Sequence, residues 1–210
     1  MNIHTRKIKR RYGRIAGIYD VMEKPMEFIF ATWRRELMKE VSGEVLEVGV
    51  GTGKNLQYYP QGMNVTAIDF SSRMIDKARQ KVRELERHFD LRVMDVQDMN
   101  FPDNTFDTVV TSCVFCSVPD PVKGLKEIRR VCKSGGKVVM LEHVRSQRPI
   151  LGPLMDILNP VPVLMYGANI NRNTIQNLRM AGFRNIEVRN LWLDIVKLIV
   201  VTHVKQSVGK

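Results

Sequence analysis

The sequence predicts an α/β fold: a doubly wound, mostly parallel sheet finished by a C-terminal antiparallel strand pair, with helices ahead of it. Three observations carry this. A short apolar strand, residues 45–48, runs directly into the glycine-rich turn Gly49-Val50-Gly51-Thr52-Gly53. Beyond it, apolar strand-like stretches alternate with stretches whose apolar residues recur every three or four positions, the pattern of a sheet covered by helices on both faces. The last two strand-like stretches, residues 186–191 and 195–203, follow one another without a helix between them, so they can pair as an antiparallel hairpin.

The elements follow in order. Residues 5–40 read as helix: Ile8, Tyr12, Ile15, Tyr19 and Met22 recur at spacings of three and four with basic residues largely between them, giving an amphipathic helix with a cationic face. Pro25 interrupts it, and a second helical piece through Phe28, Trp33 and Leu37 leads to a turn at Ser42-Gly43. After the first strand, residues 54–59 read as a short helix start, ended by Pro60-Gln61-Gly62. The second strand ends on Asp69. Ser71 then caps a helix running to about Phe89, since its hydroxyl can accept from a first-turn amide that has no partner within the helix. Residues 91–94 form the third strand, and residues 108–111 the fourth, behind a polar turn. Asp120-Pro121 opens a helix whose Val122, Leu125, Ile128 and Val131 are spaced for burial against the sheet. Residues 133–137 close it, and residues 138–142 are the fifth strand, ending at Glu142-His143.

The stretch 149–168 is apolar, with Asp156 its only charge and four prolines that prevent one long helix. It reads as a lid over an apolar substrate, as a membrane contact, or as part of the core. Asn173 or Thr174 can cap a helix running through Met180, which ends at Ala181-Gly182-Phe183.

At 210 residues the chain reads as a single domain with one substantial core. Net charge is +11, and six of the positive charges, Arg6, Lys7, Lys9, Arg10, Arg11 and Arg14, sit within the first fourteen residues. Such a distribution favours an anionic surface, whether membrane, nucleic acid or an anionic substrate, with a solvated basic helix face as the plainer alternative. The nucleic-acid reading is the weakest, because the basic run lacks interleaved aromatics for base stacking. Three cysteines, Cys113, Cys116 and Cys132, are an odd number in a chain of this size and suit the reducing cytoplasm. Cys113 and Cys116 form C-x-x-C without a second pair or a histidine cluster, so no metal is expected. The N-terminus lacks the apolar core of a signal peptide, and no apolar run is long enough to span a bilayer. The expectation is a cytoplasmic protein, peripheral on the inner membrane surface.

The spacing of the glycine turn narrows its ligand. A dinucleotide fingerprint needs glycine at its first, third and sixth positions, but here Lys54 holds the sixth and Gly53 the fifth. Asp69, twenty positions after Gly49, stands where a carboxylate could accept both hydroxyls of a ribose. A nucleoside without phosphates fits better than a pyrophosphate.

Glu47 to Gly53, with Asp69, resemble the first motifs of the class I S-adenosylmethionine-dependent methyltransferases, which have a Rossmann-like fold. The resemblance implies that Glu47, Gly49, Gly51 and Gly53 hold the methionine part of the cofactor, and that Asp69 and Phe70 meet the ribose. It further implies that Asp95 accepts the adenine amino group, while the Val96 or Gln97 amide meets the ring and Ser112 lies at the sheet edge beside them. Tyr12, Ile15, Ala16, Tyr19 and Asp20 are similar to the Y-x-x-I-A-x-x-Y-D signature of the branch acting on quinones and phospholipids.

A finer resemblance rests on Tyr58-Tyr59-Pro60 and on the stretches 114–121, 141–146 and 167–172. These look like the small bacterial phosphatidylethanolamine N-methyltransferases. The expected reaction is methyl transfer to a phospholipid head-group amine; a small thiol or a quinone-type acceptor is the alternative. In that picture residues 1–42 form a helical cover and 43–148 the cofactor-binding core. Residues 149–174 are an apolar lid or substrate insertion, and 175–210 the closing helix and strands. His143 could take the ammonium proton, hydrogen-bond a lipid phosphate, or simply cap its strand. Tyr19 is the N-terminal site candidate, with core packing as its alternative. Arg145 and Arg172 could engage the phosphate, Asn169 lies beside them, and Tyr12, Tyr19 and Phe115 could face a methylated cation through their rings.

Overall fold

The computed structural model of the chain describes residues 27–204, so the basic first part of the expected N-terminal helix, with Tyr12 and Tyr19, lies outside the described residues. Helix α1 (Glu27–Met38) turns Trp33, Leu37 and Met38 into the core. Strand β1 (Val45–Val48) is buried at every position, because it pairs in parallel with β2 (Val65–Asp69) on one side and with β4 (Phe106–Ser112) on the other. A strand covered on both faces needs apolar residues without alternation.

Between these strands lie a short 3₁₀ turn (Leu56–Tyr58), helix α2 (Ser72–Leu85) and the outer strand β3 (Asp90–Val93). Helix α3 (Pro121–Val131) leads into the long strand β5 (Cys132–His143). Two short helices, α4 (Leu151–Leu158) and α5 (Pro160–Tyr166), then precede α6 (Thr174–Met180) and the strands β6 (Asn185–Trp192) and β7 (Val196–Thr202). The seven strands are ordered β3-β2-β1-β4-β5-β7-β6; β7 runs antiparallel to both β5 and β6. This is the expected parallel sheet with an antiparallel C-terminal pair.

Each face of the sheet carries its own core. Along β5, Val139 and Leu141 pack with Trp33, Leu37 and Ile75 on one face, while Val138 and Met140 pack with Leu125, Ile128 and Leu178 on the other. Each buried Leu, Ile or Val contributes about 1.5–3 kcal/mol relative to exposure. Capping follows the sequence: Ser71 Oγ accepts from the Met74 amide at 3.4 Å, Asp120 Oδ1 from Lys123 at 2.9 Å, and Asn173 Oδ1 from Gln176 at 3.3 Å.

Two boundaries differ from expectation by more than two residues. Helix α2 stops at Leu85 rather than near Phe89, because Glu86 takes a left-handed conformation (φ 50°) and the chain then extends toward β3. Strand β5 begins at Cys132 rather than at residue 138, because the glycine turn within it is stitched to the chain leaving its neighbour β7. The Gly135 amide donates to His203 O at 2.6 Å, and the His203 amide donates to Gly136 O at 2.8 Å.

The stretch 149–168 is broken where its prolines predict. Pro160 opens α5, where a missing amide hydrogen costs nothing. Most of its apolar surface is outside the core: Ile150, Ile157 and Leu164 are 82 %, 74 % and 71 % exposed, whereas Met155 is buried. The strand order reverses direction between β1 and β4, which opens a crevice at their carboxyl ends.

Candidate active site

The glycine turn leaves β1 at this crevice. Both the Gly49 and Val50 amides donate to Ile68 O, at 2.8 and 3.0 Å, turning the chain back over the end of β2. The glycines do different work. A Cβ on Gly49 would lie 2.5 Å from Val114 Cγ2, so this position lets the loop after β4 approach. A Cβ on Gly53 would lie 2.9 Å from Leu56 Cδ1 and 3.3 Å from Ala78 Cα, so this one packs the turn onto α2. Gly51 has a φ of 56°, which only glycine adopts readily, and a Cβ there would meet nothing within 4 Å. It keeps the floor of the crevice open. Asp69 is buried at the end of β2; its Oδ2 accepts from the Gly51 amide at 3.1 Å and its Oδ1 from the Ser71 amide at 2.8 Å. The carboxylate thereby ties the turn to the adjacent strand.

The crevice widens into an open cavity of about 110 Å³. Gly49, Gly51, Asp69 and Phe70 form one side, Asp95, Val96 and Gln97 a second, and Ser112 with the loop after β4 a third. Asp95 is held in place by Gln97, whose amide and Nε2 both donate to Asp95 Oδ1 at 2.9 and 3.0 Å. Gln97 Oε1 in turn accepts from the Asp120 amide at 3.0 Å, fastening this wall to the start of α3.

A second cavity continues from Gly49, Gly51, Ser112 and Cys113 toward Arg34, Glu47, Lys54 and Asn55. Glu47 lies at its base with Oε1 accepting from Asn55 Nδ2 at 2.9 Å. Burial pushes the Glu47 carboxyl up to about 7, and its hydrogen bonds and the Arg34 charge only partly offset that. The open space over Gly51 and the buried Asp69 carboxylate on its rim fit a nucleoside. The mixed charges around Glu47 and Arg34 fit an amino acid end, and the apolar wall at Val96 beside Asp95 fits a base. The candidate cofactor residues that line these cavities are therefore Glu47, Gly49, Gly51, Asp69, Phe70, Asp95, Val96, Gln97 and Ser112.

The remaining expected residues are distributed differently. Gly53 lines neither cavity. Phe115 is fully buried in the core against α3, so its ring has no face to offer a cation, and that expectation is corrected. Arg145 is corrected as well: Asp156 takes it in a two-pronged pair, with Nη2 at 2.8 Å and Nε at 3.0 Å, and it borders a separate cleft beside Lys197.

Asn169 and Arg172 line neither cavity but are bonded to the loop after β4 that forms the third wall. The Asn169 amide and Nδ2 both donate to Cys116 O, at 2.8 and 3.1 Å, and Arg172 Nη2 donates to Val118 O at 2.9 Å. His143 ends β5, half-buried and outside both cavity walls; burial lowers its pKa, with a backbone hydrogen bond at Ile170 acting the other way. Sequence reasoning missed Arg34, Asn55 and Val114, which line the two cavities. For Arg34 a signal existed, a charge one turn after Phe30 and beside Trp33 on the apolar side of α1.

Comparison with known proteins agrees with this geometry. A family described as a methyltransferase domain matches residues 46–140. A phosphatidylethanolamine N-methyltransferase from Cereibacter sphaeroides is 43% identical over 157 residues, 70% of this chain and 71% of that protein. A ubiquinone/menaquinone biosynthesis C-methyltransferase from a Geobacter species is 33% identical over 160 residues, 70% and 68% of the two chains. A rat thiol S-methyltransferase (Rattus norvegicus) is 30% identical over 180 residues, 82% of this chain and 73% of that protein. Among solved structures, a possible histamine N-methyltransferase from Thermotoga maritima has the same fold, with a TM-score of 0.71 at 20% identity, covering 92% of this chain and 99% of that one. With a crevice at the switch point whose lining fits a nucleoside, and relatives named as methyltransferases, the chain belongs to the class I S-adenosylmethionine-dependent methyltransferases, and S-adenosylmethionine is its cofactor.

Proposed function

We propose that the protein methylates the amine of a phospholipid head group, the reaction of phosphatidylethanolamine N-methylation. The observation that carries this is the position of the exposed apolar helices. Ile150 ahead of α4, Ile157 on it, and Val161 and Leu164 on α5 are exposed, and the chain runs from them straight into Asn169 and Arg172, which are bonded to the loop after β4 at Cys116 and Val118. An apolar surface joined to the loop that walls the cofactor cavity suits an acceptor with a lipid tail. The 43% identical relative named for phosphatidylethanolamine methylation supports the same reading. In this reading residues 149–174 form the lid or insertion over the substrate, and the basic N-terminal residues hold the protein on the anionic inner membrane surface. Among the described residues, no helix is long and apolar enough to cross a membrane.

When bound, S-adenosylmethionine supplies a methyl group on a positively charged sulfur. The chain's own work is to hold and align. The glycine turn, Asp69 and Asp95 fix the cofactor, while Asn169 and Arg172 orient the head group. Alignment of two reactants removes roughly 7–11 kcal/mol of barrier in the best intramolecular cases. An ammonium must lose a proton before its nitrogen lone pair can attack. His143, at the carboxyl end of β5 with its pKa lowered by burial, is the candidate acceptor for that proton, directly or through water. Tyr12 and Tyr19 would approach the methylated cation from the N-terminal segment.

Relatives named for quinone C-methylation and thiol S-methylation favour a second reading, an apolar quinone or thiol acceptor at the same cofactor site. Incubation with radiolabelled S-adenosylmethionine and separate phosphatidylethanolamine vesicles, thiols and quinone precursors tests both. Label in the lipid fraction is expected; label in the thiol or quinone alone overturns the lipid assignment.

A further inference from the structure

Glu142 is fully buried at the carboxyl end of β5, and neither cavity touches it. Its Oε1 gathers three donors: Thr111 Oγ1 at 2.9 Å from the neighbouring strand, then the amides of Val114 at 3.1 Å and Phe115 at 3.4 Å from the loop after β4. That loop opens on Cys113, a non-glycine residue in the left-handed region (φ 55°), whose amide donates to Leu141 O at 2.8 Å. Such a conformation persists only where its surroundings hold it. Past Cys113, the Val114 side chain lies so close over Gly49 that a Cβ there would meet it at 2.5 Å. The chain of contact therefore runs from a carboxyl in β5, through two loop amides, to the residue that covers the first glycine of the cofactor turn. Burial pushes the Glu142 carboxyl up to about 7. A group that costs this much to keep charged in the interior would be replaced by an apolar one if packing were its only task.

We propose that Glu142 is a positioning residue for methyl transfer: its Oε1 fixes the loop after β4 so that Val114 closes the cofactor cavity against Gly49. The effect on cofactor is indirect, through Val114, and this separates the role from general support of the fold. Loss of the carboxyl frees the two amides and relaxes Cys113, so Val114 no longer holds one position over the turn. Asn169 and Arg172 still hold the loop further along, at Cys116 and Val118, so the rest of the rim stays in place.

The test is a double-mutant cycle on affinity for S-adenosylhomocysteine, measured by calorimetry on the full chain at a temperature where circular dichroism shows each variant folded. Glu142→Ala is expected to weaken binding about tenfold or more, equivalent to about 1.4 kcal/mol. Glu142→Gln, whose amide oxygen accepts from the same donors, should stay within about threefold of wild type. Val114→Ala should also weaken binding, and the Glu142→Ala/Val114→Ala double variant should be little worse than Val114→Ala alone, because both act through one contact. Should Glu142→Ala not fold, Glu142→Asp, which withdraws the carboxyl by one methylene, enters the same cycle. A folded Glu142→Ala with wild-type affinity overturns the proposal, as do losses that simply add. The readout uses no methyl acceptor, so its outcome is independent of the acceptor assignment.

Discussion

Replacing Glu47 by Gln isolates the electrostatics beneath the glycine turn. Glu47 is 1 % exposed, and burial raises its carboxyl from the ordinary 4.5 to about 7. Because the native pKa lies above the unfolded one, folding favours the protonated acid. Its contribution is fully present below about pH 4.5 and is lost as pH rises through about 7. A shift of roughly 2.5 units at about 1.36 kcal/mol per unit gives a loss of about 1 kcal/mol by pH 5 and about 3 kcal/mol by pH 8. Gln has nearly the same shape, carries no charge at any of these values, and keeps an oxygen to accept from Asn55 Nδ2. The variant should therefore gain stability over wild type as pH rises. At about 2–4 °C per kcal/mol for a chain of this size, the cofactor-free variant should melt roughly 6–12 °C above wild type at pH 8 and only a few degrees above it at pH 5. Thermal unfolding followed by circular dichroism at pH 5, 6, 7 and 8 measures the difference directly. A difference in melting temperature that is the same at every pH, or a variant less stable at pH 8, refutes the argument. The stabilised variant should bind S-adenosylmethionine more weakly, since it removes a negative charge from the cavity wall.

Other predictions follow from the same geometry. Gly51→Val puts a side chain into the space over the turn and strains a φ of 56°, and Asp69→Ala removes the carboxylate on its rim. Both should abolish calorimetric cofactor binding while far-ultraviolet circular dichroism stays close to wild type; unchanged affinity in both would reject the assignment of the site. His143→Ala and Tyr19→Phe should lower kcat more than they raise the cofactor Kd, and equal losses would move these residues into the cofactor site. Replacing Arg6, Lys7, Lys9, Arg10 and Arg11 by Gln should weaken sedimentation with anionic vesicles at about 1 kcal/mol per charge and leave cofactor affinity intact. Added salt should imitate it, because the Debye length falls from about 10 Å at 0.1 M to about 3 Å at 1 M. Equal binding of wild type and variant to anionic and zwitterionic vesicles at every salt concentration would remove the membrane role from these basic residues.

The sheet was legible because its signals are local. Apolar runs, the caps Ser71, Asp120 and Asn173, and the glycine turn each act over a few residues. Most of the cofactor wall was legible for the same reason: in a doubly wound sheet the carboxyl ends of consecutive strands fall side by side, so Gly51, Asp69, Asp95 and Ser112 meet without any long-range information. What failed depends on orientation. Phe115 is adjacent in sequence to Val114, yet one side chain covers the cofactor turn and the other fills the core, and nothing in the residue types decides which. Arg145 was claimed by Asp156, eleven residues away across α4, a pairing visible only once that helix is placed. Glu142 looked like one more strand end because its three donors come from a different strand and the loop beyond it.

The position of β7 bears on how this protein is made. It is the last of the seven strands to leave the ribosome, yet it sits inside the sheet between β5 and β6, with nearly every residue buried. Until it arrives, β5 presents an open edge of Val138 to Leu141 to the cell, and β6 has no neighbour at all. An unpaired apolar edge recruits other chains. The nascent chain is thus most vulnerable to aggregation during the synthesis of residues 144–195, and a single late strand must be captured from both sides before the rear of the cofactor crevice has its support.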